Sequence, residues 1–178
     1  MRAFATYQQL QDKAQRVDTR TLLKEAAIAK GKTTFLSHSS KDHDLVPGVA
    51  QILREHGGLV YVDDADTQLP KNDFVETAAR LRKAVSSCKK FVLLVTPRTR
   101  DSKWIPWELG LGDGNDGDPN VALFPSAETA DNQDWSEQEY LGLYRRILWA
   151  NFKDKEPEWL VLDHRNNKAI TLRSWLSN

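Results

Sequence analysis

A chain of 178 residues and 20.3 kDa has room for one domain and an extension, and folding at that size buries enough surface to dispense with disulfides or a structural metal. Twenty-five Lys and Arg balance 25 Asp and Glu, which removes the global attraction for polyanions and argues against nucleic acid or an anionic membrane as partner. The longest apolar run, Phe91 to Val95, is far too short for a bilayer span, no signal-peptide core opens the chain, and Cys88 stands alone, so the expectation is a soluble cytoplasmic protein.

Residues 1–31 read as a helical extension, because Phe4, Tyr7, Leu10, Ala14 and Val17 recur at spacings of three and four and Gly31 supplies a stop. Residues 32–178 then alternate short β-rich runs with helical ones, the pattern of an α/β domain with helices on both faces of a parallel sheet. In chain order the expectation is a strand at 33–37, a helix at 42–56 with Pro47 in its opening turn, and a strand at 59–63. A helix marked by Phe74, Ala78, Leu81 and Val85 follows, then the most apolar strand, 90–96, which should be central. Beyond it come a short helix at 101–113, a strand at 121–124, a helix at 136–149, a strand at 159–163 and a final helix at 169–176.

Charge is segregated although it cancels. Residues 77–103 carry eight basic side chains against Asp101 alone, and residues 104–144 carry nine acids with no Lys or Arg. Two solvated faces account for this, and so does head-to-tail association of identical subunits.

Several motifs fail on position. Gly31-Lys32-Thr33 precedes a strand where a P-loop follows one, and His38-Ser39-Ser40-Lys41-Asp42 lacks the glycines of a dinucleotide-binding turn. The acidic stretch 113–118 misplaces the glycine of a calcium loop and reads instead as a flexible acidic loop. His38 and His43 have no third ligand spaced with them, so no metal is expected, and Cys88 reads as a core residue.

For a five-stranded sheet of order 2-1-3-4-5, ligands bind beyond the carboxyl ends of the strands, between the first and third. The loops converging there are 37–42 and 96–103, and the second leads into a helix bearing Trp104 and Glu108 on one face. Pro106 confines the helix start to near Trp104, so Glu108 lies within a turn of its N-terminus, where the dipole favours a carboxylate. A carboxylate beside an indole can hold ribose hydroxyls and stabilise positive charge at an anomeric carbon while a flat ring stacks alongside. The spacing fits equally well two core tryptophans and an ordinary first-turn acid.

The segments Thr34 to Asp42, Val60 to Asp64, Phe91 to Pro97 and Ser102 to Gly110, taken in this order, resemble a bacterial TIR (Toll/interleukin-receptor) domain over about residues 32–124. The resemblance implies a flavodoxin-like fold and cleavage of NAD at the nicotinamide–ribose bond, with NAD as substrate and no cofactor. It assigns the catalytic carboxylate to Glu108 with Trp104 beside it, the nicotinamide pocket to Ser37, His38 and Ser39, and a loop closing over substrate to 64–72, beginning at Asp64. That loop has Leu69-Pro70-Lys71-Asn72 where relatives often carry a glycine.

The products implied are nicotinamide plus ADP-ribose or a cyclic isomer of it, and the resemblance extends to the signal-producing TIR proteins of antiphage systems such as Thoeris. It further implies a homo-oligomer built through TIR–TIR contacts and a separate effector protein that responds to the product. Two other readings share the crevice: a non-catalytic TIR interaction module, and a nucleoside deoxyribosyltransferase-like enzyme acting on a free nucleoside.

Overall fold

The computed structural model describes residues 2–16, 33–62, 74–102, 104–116, 118–130, 132, 139–152 and 155–178. The chain opens with two short strands, β1 (Arg2–Ala3) and β2 (Ala5–Thr6), and a helix, α1 (Tyr7–Gln15). Thr6 and Gln9 form a capping box, each side chain meeting the other's backbone N–H, which fixes the helix start at Tyr7. Continuous helix expected from the first residues is therefore corrected, and its later part, with Gly31, lies outside the described residues.

Strand β3 (Thr34–Ser37) leads through a 3-10 turn at Ser40–Asp42 into α2 (Val46–Glu55), which starts later than its apolar pattern implied, with Pro47 in its first turn. Strand β4 (Val60–Val62), α3 (Phe74–Ser86) and β5 (Lys90–Val95) follow. A 3-10 segment, Pro97–Asp101, precedes α4 (Ile105–Asp116), so residues 113–116 of the acidic stretch read as a loop form the helix's last turn. Strand β6 (Val121–Ala127) comes next.

The C-terminal third departs from expectation. The helix expected at 136–149 is replaced by a 3-10 turn at Glu139–Leu143 and strand β7 (Arg145–Ala150). Glu158–Asp163 is β8, and an antiparallel hairpin turning at Asn167 (φ 48°) leads to β9 (Lys168–Thr171) and a short α5 (Leu172–Ser177).

Among the described residues the sheet has nine strands rather than five: seven in the order β4-β3-β5-β6-β7-β8-β9, with β1 paired to β7 and β2 to β6. Its first five positions keep the order 2-1-3-4-5 and are parallel, but β7 takes the fifth place assigned to 159–163, and β8 and β9 add antiparallel strands. The β6–β7 ladder covers only Ala122–Arg145 and Leu123–Arg146. Beyond Pro125, which has no N–H to offer a neighbour, β6 pairs with β2 and the far end of β7 pairs with β1. The N-terminal strands thus fill the gap where β6 and β7 part, and the buried Ser126 hydroxyl donates to the Ala5 carbonyl at 2.9 Å.

Alternation along the central strands builds two cores. Leu36, Val92, Leu94, Ala122 and Phe124 face α2 and α5, while Phe35, Phe91, Leu93, Val95, Val121 and Leu123 face Leu81 and Val85 of α3 and Ile105 and Leu109 of α4. Each fully buried Phe or Leu contributes about 1.5–3 kcal/mol. Two glycines permit close packing: a Cβ on Gly48 of α2 would sit 2.2 Å from the Leu10 carbonyl oxygen of α1, and one on Gly112 of α4 would sit 2.5 Å from the Phe91 ring. None of the described helices is long and apolar enough to cross a membrane.

Candidate active site

Strand order reverses at β3, with β4 on one side and β5 on the other, and the loops leaving β3 and β5 lie side by side there. Ser37 ends β3 with its side chain almost wholly buried. Helix α4 starts at Ile105 and the Glu108 N–H donates to the Trp104 carbonyl at 2.9 Å, which puts Glu108 in the first turn. The Ser37 hydroxyl donates to the Glu108 carboxylate at 2.5 Å. Two residues 71 positions apart thereby form one unit at the carboxyl end of the sheet. Hydrogen bonds from a hydroxyl to a carboxylate are short and strong, and this one fixes the carboxylate's orientation.

Trp104 lies edge-on to Trp107, ring centroids 5.5 Å apart, and both pack half-buried against the core on the α3–α4 side. Arg82 of α3 stacks on the Trp107 ring at 5.3 Å. Trp104 thus packs against the core, and its carbonyl anchors the turn that carries Glu108.

His38 follows Ser37 and meets His43 in an edge-to-face arrangement at 5.4 Å. Burial, then the nearby His43, pushes its imidazole down to about 4, so the ring is neutral near pH 7. Ser39 is buried and caps the 3-10 turn, its hydroxyl accepting from the Lys41 N–H at 3.3 Å, which makes its first role structural. Asp64 and the rest of the loop 64–72 lie outside the described residues. Among the described residues no group of three or more His, Cys, Asp or Glu is arranged to hold a metal.

Sequence reasoning missed a second cluster beneath the crevice. Asp42 is fully buried, and Thr96 donates to its two carboxylate oxygens at 3.1 and 3.0 Å. Burial holds the Asp42 carboxyl up at about 6, against the opposing pull of Thr96 and Arg98. The visible signal was Thr96-Pro97 closing the most apolar strand: the Thr96 hydroxyl accepts from the Arg98 N–H at 3.0 Å and ties the turn that carries Arg98.

A family model described as the TIR domain matches residues 34–161. Among curated proteins, the probable 3' cyclic ADP-D-ribose synthase ThsB' of Bacillus cereus (strain MSX-D12) is 32% identical over 144 residues, covering 80% of this chain and 74% of that protein. With its reversed strand order, its crevice at the carboxyl end of the sheet and this match over most of its length, the chain belongs to the TIR domain family.

Proposed function

We propose that this protein cleaves the nicotinamide–ribose bond of NAD and closes the ADP-ribosyl remainder into a cyclic isomer that serves as a defence signal. The observation that carries the reading is Glu108, held by Ser37 at the switch point of the sheet. The name of the Bacillus cereus relative, a probable cyclic ADP-ribose synthase, supports the choice of substrate and product class.

The bond between the anomeric carbon and the pyridinium nitrogen breaks, and its electron pair leaves with nicotinamide, which departs neutral. Positive charge then develops at the anomeric carbon and ring oxygen, where the Glu108 carboxylate accepts the ribose hydroxyls and stabilises it. Ser37 keeps the carboxylate oriented, so little reorganisation accompanies the reaction. A neutral His38 beside Ser37 adds no cation to a pocket that must receive a pyridinium. A nucleophile of the same molecule attacks the carbon and loses its proton to give the cyclic product; attack by water gives linear ADP-ribose.

Incubation of concentrated protein with NAD, beside Glu108→Ala, tests this. The expected result is release of nicotinamide by the wild type alone, with a nucleotide product lighter by one water than ADP-ribose. A product of ADP-ribose mass overturns cyclisation but keeps cleavage, and equal activity in both proteins removes Glu108 from the chemistry. NAD left intact by the wild type under forced assembly overturns the enzymatic reading in favour of an interaction module.

A further inference from the structure

Side chains from three separate segments meet below the crevice, and one segment is the N-terminal helix. Arg98, from the turn after β5, donates to the Lys41 carbonyl at 3.0 Å, stands 3.7 Å from Asp42 and pairs with Asp44 at 3.4 Å. Its guanidinium lies over the ring of Tyr7, the first residue of α1, at 4.9 Å. One turn further along α1, Gln11 donates to Asp44 at 2.7 Å. Helix α1 therefore grips the 41–44 segment twice, once through Arg98 and once directly.

The arrangement has a physical reason. Asp42 is buried and needs both hydrogen bonds and a nearby cation, yet the Arg98 side chain is 40% exposed and free on one face to follow solvent. The Tyr7 ring covers the guanidinium, strengthens its charge interactions by excluding water and leaves it one orientation. With Arg98 fixed, Lys41 and Asp42 are fixed. The path back from Asp42 to Ser37 is short and stiffened by the Ser39 cap and the 3-10 turn, so displacement at one end reaches the other.

The geometry points to Tyr7 and Arg98 as positioning residues: α1, outside the span matched by the family model, holds the loop after β3 through Arg98 and Asp42 and so sets how Ser37 presents to Glu108. The consequence for catalysis rests on the proposed reading of Glu108 as the carboxylate of an NAD-cleaving site. Its consequence for the loop does not.

The test compares the full chain with Tyr7→Leu, which keeps apolar packing and removes the ring, and Tyr7→Phe, which restores the ring without the hydroxyl. Tyr7→Leu should retain its thermal transition but lose about tenfold to a hundredfold in kcat on NAD with KM nearly unchanged, since small misplacement of a catalytic group has effects of that size. Tyr7→Phe should recover most of the rate. Amide hydrogen exchange supplies a readout without turnover: residues 37–42 should exchange faster in Tyr7→Leu and as wild type in Tyr7→Phe, with β5 and α4 protected in all three. Unaltered exchange at 37–42 in Tyr7→Leu overturns the strap, and altered exchange with an unaltered kcat overturns its role in catalysis. A wild type that leaves NAD intact would refute the enzymatic reading instead, and the exchange data would still decide the strap.

Discussion

Ser37 and Glu108 meet across 2.5 Å, one closing a buried parallel strand and the other opening a helix on the opposite side of the crevice. Removing either partner separates orientation from charge. Ser37→Ala should lower kcat on NAD by about 10- to 100-fold while altering stability by only about 1 kcal/mol. Glu108→Gln keeps the shape and a hydrogen-bonding group but not the negative charge, and should leave less than about 1% of the activity, the scale of losing a preorganised electrostatic group. Steady-state rates beside thermal unfolding check both; a Glu108→Gln protein that fails to fold would mark the glutamate as structural.

Asp42 and His38 should give opposite contributions to stability against pH. Asp42 holds its proton more firmly folded than unfolded, about 6 against 3.8, so its contribution is full below 3.8 and lost as pH rises through 6. His38 is the reverse, about 4 folded against 6.5, with a contribution present above 6.5 and lost as pH falls through 4. Between about pH 4 and 6 each slope is at most roughly 1.4 kcal/mol per pH unit, and the two oppose each other. Asp42→Asn should therefore gain stability relative to wild type as pH rises through this window, and His38→Gln should lose it. Urea midpoints taken across the window measure both, and variants that run parallel to wild type would refute the assignment.

Alternate glycines of α4 should respond with opposite signs. The Cβ position of Gly112 falls inside the Phe91 ring contact, so Gly112→Ala must push the helix off the sheet and should destabilise by about 1–3 kcal/mol. Gly110 faces open space, and Gly110→Ala should stabilise by up to about 1 kcal/mol through helix propensity. Since α4 carries Glu108, Gly112→Ala should also slow NAD cleavage. Chemical denaturation of the two single variants is the check.

Gly48→Ala sets a methyl group against the backbone of Leu10, which has no side-chain rotamer with which to yield. The expected outcome is a loss of about 1–3 kcal/mol and detachment of α1 while the sheet core stays folded. Limited proteolysis should then cut within the first 15 residues well before the rest of the chain. Resistance equal to wild type would mean that the helices separate without cost.

The central half of the fold was legible because its strands are nearly continuous apolar runs, Phe35-Leu36 and Phe91 to Val95, bounded by turn residues, and parallel strands covered on both faces have no other composition. The C-terminal third was not. Leu141, Tyr144, Ile147 and Leu148 fall at helical spacing, yet 145–150 lies between strands on both sides, and ladder pairing overrides a pattern that short. The N-terminal strands were hidden the same way: Phe4 and Tyr7 suit a helix, and only Thr6 with Gln9 marked where it begins. For the site, Glu108 and Ser37 followed from the crevice rule and the family resemblance. The buried Asp42 did not, since nothing in a sequence tells which of the acids at 42 and 44 turns inward.

The strands at Arg2–Thr6 have a consequence for how this molecule acquires its structure. Ala5 and Ser126 are neighbours in the sheet but 121 positions apart, and β1 reaches further still, to Trp149 and Ala150. Contacts of such separation carry a large loop-closure penalty and form late, after the local βα units have collapsed. The seam between β6 and β7 should therefore close last, and with it the helix that braces the crevice. A refolding chain should complete its hydrophobic centre well before it becomes an enzyme, with recovery of activity lagging behind recovery of helical signal.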